Sequence, residues 1–344
     1  MENDQIIEKV KDFIIVFTSI VWEAFPFIVL GSVIAGILEE FVPQRLISRV
    51  LPRSRVLAIL LGALLGLIFP MCECGIIPVM RRLLRKGLPL SCCVAYLLAG
   101  PIINWVVILS TFAAFSGENL AIGAASQIVP MSGVWVVGLR VILGYHVAVG
   151  TALVVEWLYR RHGNSLLTPL AMPPSSDKLA ADQEEAEAER LPFVQRLSNV
   201  TETALHDFVD IMVFLILGGL LAATIRQFVS NDDLANWSSS QPLLANFSMM
   251  ALAVLLCLCS EADAFVAASF QTLQPAAKLA FLVLGPMMDL KLYMMYTRVF
   301  RPRLIWTIIP MLLLQVFLYT AILHFVWTNW GHLLDPSAAS SRGP

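Results

Sequence analysis

Residues 69–82 read Phe-Pro-Met-Cys-Glu-Cys-Gly-Ile-Ile-Pro-Val-Met-Arg-Arg, and this stretch decides the fold because part of it returns later in the chain. Cys72 and Cys74 recur 185 positions further on as Cys257 and Cys259, with no gap in the alignment. Both pairs lie within apolar sequence. The chain therefore consists of two related halves, each carrying one Cys-x-Cys.

The repeat extends on both sides of the cysteines. The same shift of 185 places one Gly-Pro-x-x-Asn/Asp motif on another, and a shift of 187 aligns an acidic residue and a glycine nearer the start of each half. Internal repeats in a membrane protein are typical of transporters with a site at the repeat interface. The aligned pairs are Gly100/Gly285, Pro101/Pro286, Asn104/Asp289, Glu23/Asp210 and Gly31/Gly218.

The composition is that of a membrane protein. Of the 344 residues, 58% are hydrophobic and only 14% are charged, and the mean hydropathy is +0.76. A soluble domain cannot bury that much apolar surface, and several stretches reach the ~20 apolar residues that a bilayer span requires. The net charge of −2 gives no sign of a nucleic-acid partner. We expect a multi-pass helical protein of the lipid bilayer.

A polar stretch at 161–200 divides the apolar chain. It contains the acidic run 182–189 and cannot bury a core, so we expect a solvated linker. The sequence therefore predicts a first transmembrane repeat at 1–160, a cytoplasmic linker, and a second transmembrane repeat at 201–344.

The end of each repeat is harder to align. Residues 128–131 resemble 308–311, whereas residues 140–142 resemble 303–305. Both alignments stay open, so the helix pattern across 116–145 is not determined by the sequence.

Basic residues indicate how the repeats are oriented. Segment 56–86 has a basic cluster at both ends, and cytoplasmic loops are enriched in Lys and Arg. A re-entrant helical hairpin keeps both clusters inside, with its tip at 72–75, whereas a single span would place one outside. The matching flanks 230–242 and 271–276 contain no Lys or Arg, while 298–303 contains three Arg. We therefore predict an all-α polytopic protein of two inverted-topology repeats, each with such a hairpin; two parallel repeats are the alternative.

Helix-breaking residues mark the places where the backbone leaves the helical pattern inside the membrane. Such backbone survives there only where protein or a water-filled cavity covers it. Two hairpins entering from opposite faces would bring their tips together near the midplane. The predicted helix-break residues are Pro70, Gly75, Pro78, Gly100, Pro101, Gly285 and Pro286.

Four thiols are the candidate metal ligands, namely those of Cys72, Cys74, Cys257 and Cys259. Thiolates select Cu(I), Zn(II) and thiophilic metalloids. The alternative is that free cysteine packs as a small hydrophobic residue. We expect this alternative for residues 92–93, which have no cysteine counterpart in the second half, and ligation for the two symmetric pairs.

Carboxyl and amide groups near the tips complete the predicted site. Ionisable residues inside a membrane are costly and are functional candidates. Glu73, Asn104 and Asp289 are predicted to bind the substrate ion. Alternatively, Asn104 and Asp289 only cap the broken helices, and Asp289 neutralises Lys291. The candidates for proton coupling are Glu23, Asp210, Glu261 and Asp263.

The quoted stretch, Gly100-Pro-Ile-Ile-Asn104 and Cys259-Ser-Glu-Ala-Asp-Ala-Phe265 resemble the ArsP-type predicted permeases, in the branch with Cys-Glu-Cys-Gly at the first tip. The resemblance covers nearly the whole chain outside the linker. It implies a permease of the bacterial inner (plasma) membrane. Relatives export trivalent organoarsenicals or are assigned copper or zinc efflux, and permeases of this branch are often paired with a small membrane partner protein. The organoarsenical branch lacks the second Cys-x-Cys, which argues against methylarsenite as the substrate.

The sequence thus predicts an exporter of a thiophilic metal ion or metalloid through a Cys-lined midplane site. It predicts no cofactor and no enzymatic activity. No Walker motif is present, so transport would be driven by the proton gradient or by a partner. One rival is a membrane thiol oxidoreductase, which would need a Cys-x-x-Cys and an electron-transfer partner. The other is a non-transporting membrane subunit of a complex, which would tolerate loss of all four thiols.

Overall fold

The part of the chain that the structure describes folds as α-helices. The computed structural model describes residues 2–43, 52, 54–116, 133–169, 171, 192–226, 242–270 and 273–330. Twelve α-helices lie within these ranges. They are α1 (Glu2–Phe41), α2 (Arg55–Ala63), α3 (Glu73–Arg85), α4 (Leu90–Ala99), α5 (Trp105–Phe115), α6 (Gly133–His162), α7 (Phe193–Arg226), α8 (Pro242–Leu256), α9 (Ala262–Ser269), α10 (Pro275–Leu284), α11 (Leu290–Val299) and α12 (Pro302–Trp330).

Helices of the first half return in the same order in the second. A long helix opens each half (α1 and α7), four short helices follow, and a long helix closes it (α6 and α12). The starts of α4 and α10, and those of α5 and α11, are 185 positions apart, as in the sequence alignment. The four long helices are long and apolar enough to cross a membrane. The predicted all-α polytopic membrane protein is therefore confirmed.

The opening helices of the two halves pack against each other in opposite directions. The rings of Phe25 and Phe208 meet edge to face, 5.7 Å apart between centroids. Further along α1, Glu40 Oε1 accepts a hydrogen bond from Arg196 Nε at 3.2 Å. Residue numbers rise along α1 as they fall along α7, so the two helices are antiparallel.

The closing helices also run in opposite directions. Within them, Gln315 Nε2 donates to Thr151 Oγ1 at 3.1 Å. Beyond the end of α6, the carbonyl of Leu166 accepts from the N–H of Arg301, which directly precedes α12, at 3.0 Å. Both pairs of equivalent long helices are therefore antiparallel.

One end of the helix bundle collects basic residues. Lys86, after α3, donates to backbone carbonyls at the end of α1, with that of Glu39 at 2.5 Å. Ser91, in the first turn of α4, donates to Glu156 at 2.7 Å, and Glu156 also accepts from Arg160 at 3.0 Å. The ends of α1, α3 and α6 and the starts of α4, α7 and α12 therefore share one end, which we call the basic end.

The first hairpin, α2 and α3, enters from the basic end. Gly62 packs on Cys92, and Gly66 packs on Gly100: a Cβ at either glycine would lie 2.6 Å from its neighbour. α2 therefore runs parallel to α4, which starts at the basic end. Since α3 ends there too, the hairpin leaves on the side from which it entered.

The second hairpin, α8 and α9, enters from the opposite end. Asn246, near the start of α8, donates to Thr320, near the far end of α12, at 3.3 Å. After the hairpin, Lys278 at the start of α10 lies over the ring of Phe115 at the end of α5, 5.7 Å from the centroid. The two hairpins thus point toward each other, which brings their tips into the middle of the bundle.

The helices bounding the polar linker extend further than the sequence suggests. α6 continues to His162, and α7 begins at Phe193, inside the range 161–200 expected for the linker. The first turns of α7 are supported because Arg196 pairs with Glu40 of α1. The polar composition of this stretch predicts a loop, because the contact with α1 cannot be recognised from the local sequence.

Several predictions concern residues that lie outside the described ones. They include most of the linker, the flanks of the second hairpin, the first basic cluster and part of the region whose alignment stayed open. These residues are 172–191, 230–241, 271–272, Arg45, Arg49, Arg53 and 117–132.

A leucine at Gly31 is expected to destabilise the protein. A Cβ at Gly31 of α1 would overlap the carbonyl oxygen of Gly75 in α3, and small residues are what allow two membrane helices to approach this closely. Overpacking of this kind costs about 1–3 kcal/mol, so the purified Gly31→Leu variant should melt at a lower temperature in detergent. Gly138→Leu is the matched control, because a Cβ at Gly138 meets nothing within 4 Å. Equal melting temperatures for both variants would contradict the contact.

Candidate functional site

The first tip forms where the incoming arm of the hairpin meets the start of α3. A 3-10 turn at Leu65–Leu67 ends the arm, and Pro70 lies in the irregular stretch that follows. Cys72 caps α3 with extended backbone, so Glu73 and Cys74 occupy the first turn of the helix. All three side chains are buried.

Gly75 and Pro78 lie inside α3, so the prediction that they break the helix is wrong. Gly75 instead allows α1 to come close: a Cβ there would lie 2.8 Å from the carbonyl oxygen of Phe27. Pro78 has no N–H, which deprives the carbonyl of Cys74 of its usual helical donor. Both residues therefore shape the tip without ending the helix.

The second tip is the segment between α8 and α9. Cys257, its first residue, has φ +50°, in the left-handed region that costs a non-glycine residue on the order of 1–3 kcal/mol. Two residues later, the thiol of Cys259 donates to Glu23 Oε1 at 2.6 Å. Glu23 lies on α1, which packs on the first tip through Gly31. α1 therefore contacts both tips.

Helices α4 and α5 are separated by one Gly-Pro pair, and helices α10 and α11 by the other. Gly100 and Gly285 are the C-caps of α4 and α10, and Pro101 and Pro286 follow them in the breaks.

Asn104 caps α5, and its side chain accepts from the N–H two residues on at 2.9 Å. Asp289 caps α11 in the same way and accepts from the N–H three residues on at 2.6 Å. Asn104 thus has the capping role considered as an alternative, whereas Asp289 has a second oxygen that faces Lys291.

Lys291 joins the two tips. Its ammonium nitrogen lies 2.9 Å from Glu73 Oε1 of the first tip and 3.5 Å from Asp289 Oδ2. It also donates to the backbone carbonyls of Cys257, at 3.2 Å, and Leu258, at 3.4 Å, in the second tip. One buried side chain therefore contacts both tips and the break before α11. The sequence analysis considered Lys291 only as a partner of Asp289 and missed its contacts with the tips.

Buried carboxyl oxygens at the tips are incompletely paired. Among the described residues, Glu73 Oε2 and Glu261 Oε1 accept no hydrogen bond, and Asp289 Oδ2 has only its ion-pair contact with Lys291 at 3.5 Å. An ionised carboxyl group that is shielded from water and incompletely paired is strongly destabilised. The arrangement is therefore suited to receiving a cation or protons.

The thiols of the two tips lie in different surroundings. Cys72 and Cys74 are buried at the start of α3, whereas Cys257 donates to a backbone carbonyl of α8 at 3.4 Å and Cys259 donates to Glu23. Among the described residues, no three His, Cys, Asp or Glu side chains are arranged to hold a metal ion. The expected convergence of four thiols is therefore not present in this conformation. A metal bound by both pairs would require the tips to move closer together.

Asp263 has a cationic partner that the sequence analysis missed. Arg140 Nη2 donates to both carboxyl oxygens of Asp263, at 3.0 and 2.9 Å, and to the carbonyl of Ser260 at 3.1 Å. Arg140 Nη1 donates to Thr111 Oγ1 at 2.6 Å. An arginine within an apolar helix such as α6 is itself a signal of a buried partner. Asp263 is therefore paired rather than isolated beside Glu261.

Asp210 also has cationic partners. It accepts from Arg81 at 2.8 Å and from Arg298 Nε at 3.1 Å. One turn earlier on α7, Asp207 accepts from Arg82 Nε at 2.9 Å and also pairs with Arg81. This network links α3, α7 and α11 on the basic side of the tips. Of the four proton-coupling candidates, the structure pairs Asp210 and Asp263 with arginines and places Glu23 and Glu261 beside the second tip.

Comparisons with known proteins agree on the kind of molecule. The family model described as "Predicted permease" matches residues 9–325. The chain is 35% identical over 302 residues to the UPF0718 protein YcgR of Bacillus subtilis (strain 168), which covers 88% of this chain and 93% of that protein. It is 31% identical over 309 residues to a "putative two-component membrane permease complex subunit" of Streptococcus mutans serotype c, which covers 89% and 93%. No solved structure matches the chain significantly.

The family match spans both halves and every helix that contributes to the tips. It points to a transporter rather than an enzyme, in agreement with the apolar long helices and the buried polar site between them. On these grounds the chain belongs to the ArsP-type predicted permease family.

Proposed function

We propose that this membrane permease exports a thiophilic metal ion or metalloid through the site between the two hairpin tips. The observation that carries the proposal is the meeting of the tips at Lys291, where buried carboxyl groups lie beside two Cys-x-Cys pairs. Polar groups of this kind are expensive inside a membrane, and they mark ion pathways. The four thiols supply the ligand type that soft ions prefer.

The environment of Cys259 supports a coupling of binding to proton movement. A cysteine must lose its proton to ligate a metal, and Glu23 already accepts the hydrogen bond from this thiol at 2.6 Å. Glu261, two residues further on, has a buried oxygen without a donor among the described residues. We therefore retain Glu23 and Glu261 as the groups that exchange protons during transport. Asp210 and Asp263 each pair with arginine, and we assign a structural role to these ion pairs.

The packing of the long helices supports inverted repeats in the bacterial inner membrane. The equivalent helices α1 and α7 are antiparallel, as are α6 and α12, and the hairpins enter from opposite ends of the bundle. Under the positive-inside rule, the basic end faces the cytoplasm. The linker after α6 is then cytoplasmic, and the ends of α5 and α12 face outward.

Reporter fusions are expected to give opposite results at two positions. In the linker at 161–200, a fluorescent protein should be active and alkaline phosphatase inactive, because that segment is expected in the cytoplasm. After Trp330, alkaline phosphatase should be active and the fluorescent protein inactive, because that position is expected in the periplasm. The measurement uses paired alkaline phosphatase and fluorescent protein fusions in bacterial cells. Signals from the same side at both positions would refute the inverted arrangement.

A transport panel tests the proposed substrate class. Everted membrane vesicles containing the full-length protein are incubated with Zn(II), Cd(II), Cu(I), arsenite or methylarsenite, with vesicles lacking the protein as the control. We expect accumulation of at least one of these species and greater resistance to it in cells that produce the protein. Absence of both effects for every species would exclude a thiophilic substrate.

A partner protein is a second element of the proposal. The relative from Streptococcus mutans is named as a putative subunit of a two-component membrane permease complex. We propose a small membrane protein as the second component. If this chain has no transport activity of its own, substitution of all four tip cysteines will leave the activity of the complex unchanged.

A further inference from the structure

The ammonium group of Lys291 lies among four oxygen atoms of the described residues. Two are carboxyl oxygens, from Glu73 and Asp289, at 2.9 and 3.5 Å. Two are backbone carbonyl oxygens of the second tip, from Cys257 and Leu258, at 3.2 and 3.4 Å. Carboxyl and carbonyl oxygens are the groups that bind cations in proteins. In this conformation a side chain of the protein itself fills the cation position.

The burial of Lys291 makes this pairing necessary. Its side chain is only 3% exposed, and that of Glu73 only 1%. Taking either charge out of water alone is strongly unfavourable, so each needs the other when no substrate is bound. The pair also connects α11, which belongs to the second half of the chain, to the first tip, which belongs to the first half.

The backbone of Lys291 is fixed by packing, whereas its ammonium is carried on a flexible side chain. Gly218 of α7 packs directly on it, because a Cβ at Gly218 would lie 2.7 Å from the Cα of Lys291. The ammonium sits at the end of a flexible four-carbon stem. The charge can therefore leave Glu73 without moving α11.

A cation bound by the tip thiols would compete with this ammonium. Glu73 lies between Cys72 and Cys74 in the chain, and the ammonium that it pairs with also contacts the carbonyl of Cys257 in the second tip. Two positive charges beside one buried carboxyl repel each other strongly at low dielectric. We propose that Lys291 is an internal counter-ion that competes with the transported cation for Glu73 and Asp289.

Competition with the Lys291 ammonium distinguishes substrates by their charge. A cation must displace the ammonium, whereas a neutral hydroxide of a metalloid has no charge with which to do so. The return of the ammonium to Glu73 then lowers the affinity for the cation and promotes its release. The inference rests on the proposed function, because it assigns Lys291 a role at the same site.

Binding of Cd(II) by the purified full-length protein tests the inference. We expect Lys291→Met to bind Cd(II) about tenfold more tightly or better than the unsubstituted protein, and to release it too slowly for normal transport. Lys278→Met is the matched control, since Lys278 is another buried lysine, on α10; it should leave Cd(II) affinity unchanged. Equal or weaker binding by Lys291→Met would overturn the inference and leave the proposed function intact.

Two further outcomes keep the test decisive. If Lys291→Met does not fold, Lys291→Arg retains the charge, and its planar, bidentate head group should hold Glu73 more firmly. Cd(II) should then bind about tenfold more weakly than to the unsubstituted protein, and unchanged or tighter binding would overturn the inference. If the unsubstituted protein itself does not bind Cd(II), the proposed function fails for this cation, and the competition inferred here fails with it.

Discussion

Serine in place of Cys72 or Cys259 is expected to abolish transport while the protein still folds and inserts. Serine is close to cysteine in size, and its hydroxyl can also donate to Glu23, so the hydrogen bond that Cys259 makes need not be lost. The substitution removes only the soft ligand, which oxygen replaces poorly for a thiophilic ion. The measurement is uptake by everted vesicles, normalised to the amount of folded protein.

Cys92→Ser is the matched control for both substitutions. Cys92 is buried on α4, where it packs against Gly62 of α2 rather than at a tip. Its replacement should leave transport nearly unchanged. Full activity in a variant with serine at Cys72, Cys74, Cys257 and Cys259 would end the metal-site proposal, whereas loss of activity in Cys92→Ser alone would show that the assay responds to general damage.

Arg140→Met is expected to cause the largest loss of stability among the ion-pair substitutions. The side chains of Arg140 and Asp263 are 1% and 2% exposed, so removal of the cation leaves a buried carboxyl without its partner. Breaking a buried pair on one side costs about 3–5 kcal/mol. The yield of folded protein after size-exclusion chromatography and the melting temperature in detergent should both fall sharply.

Two comparisons make this prediction specific. The double variant Arg140→Met/Asp263→Leu should recover much of the lost stability, because it removes both charges instead of one. Arg160→Met should have an effect of only about 0–1 kcal/mol, because the Arg160 side chain is 67% exposed in its pair with Glu156. If Arg140→Met and Arg160→Met prove equally stable, the Arg140–Asp263 pair does not have the structural role assigned to it.

Much of the architecture follows from patterns within the sequence. Hydrophobic runs separated by Gly-Pro pairs predict short helices, and the starts of α4 and α10 lie 185 positions apart as the cysteine pairs do. These features are local, because proline lacks the N–H of the helical hydrogen bond and its ring clashes with the preceding turn. The membrane class and the family were predictable for the same reason, since both depend on composition and on short motifs.

Pairing across the fold was not predictable in the same way. The contact of Arg140 with Asp263 joins residues 123 positions apart, and Lys291 meets Glu73 from the other half of the chain. Neither partner can be chosen from sequence periodicity, because several charged residues are available to each. The helical position of Pro78 was missed for a related reason: a proline one turn beyond the helix start removes a hydrogen bond without ending a helix that neighbouring segments support.

The nearly equal lengths of the two parts of each broken span give the site a position in the electric field of the membrane. α4 and α5 have 10 and 11 residues, and α10 and α11 have 10 each, so the breaks beside the tips lie about 15 Å from either end of the bundle. A monovalent cation that reaches the tips from either end has thus crossed about half of this distance and, in a uniform field, about half of the voltage. One charge crossing the full membrane changes in free energy by about 2.3 kcal/mol per 100 mV. Entry from the basic end and release at the other end should therefore depend about equally on voltage.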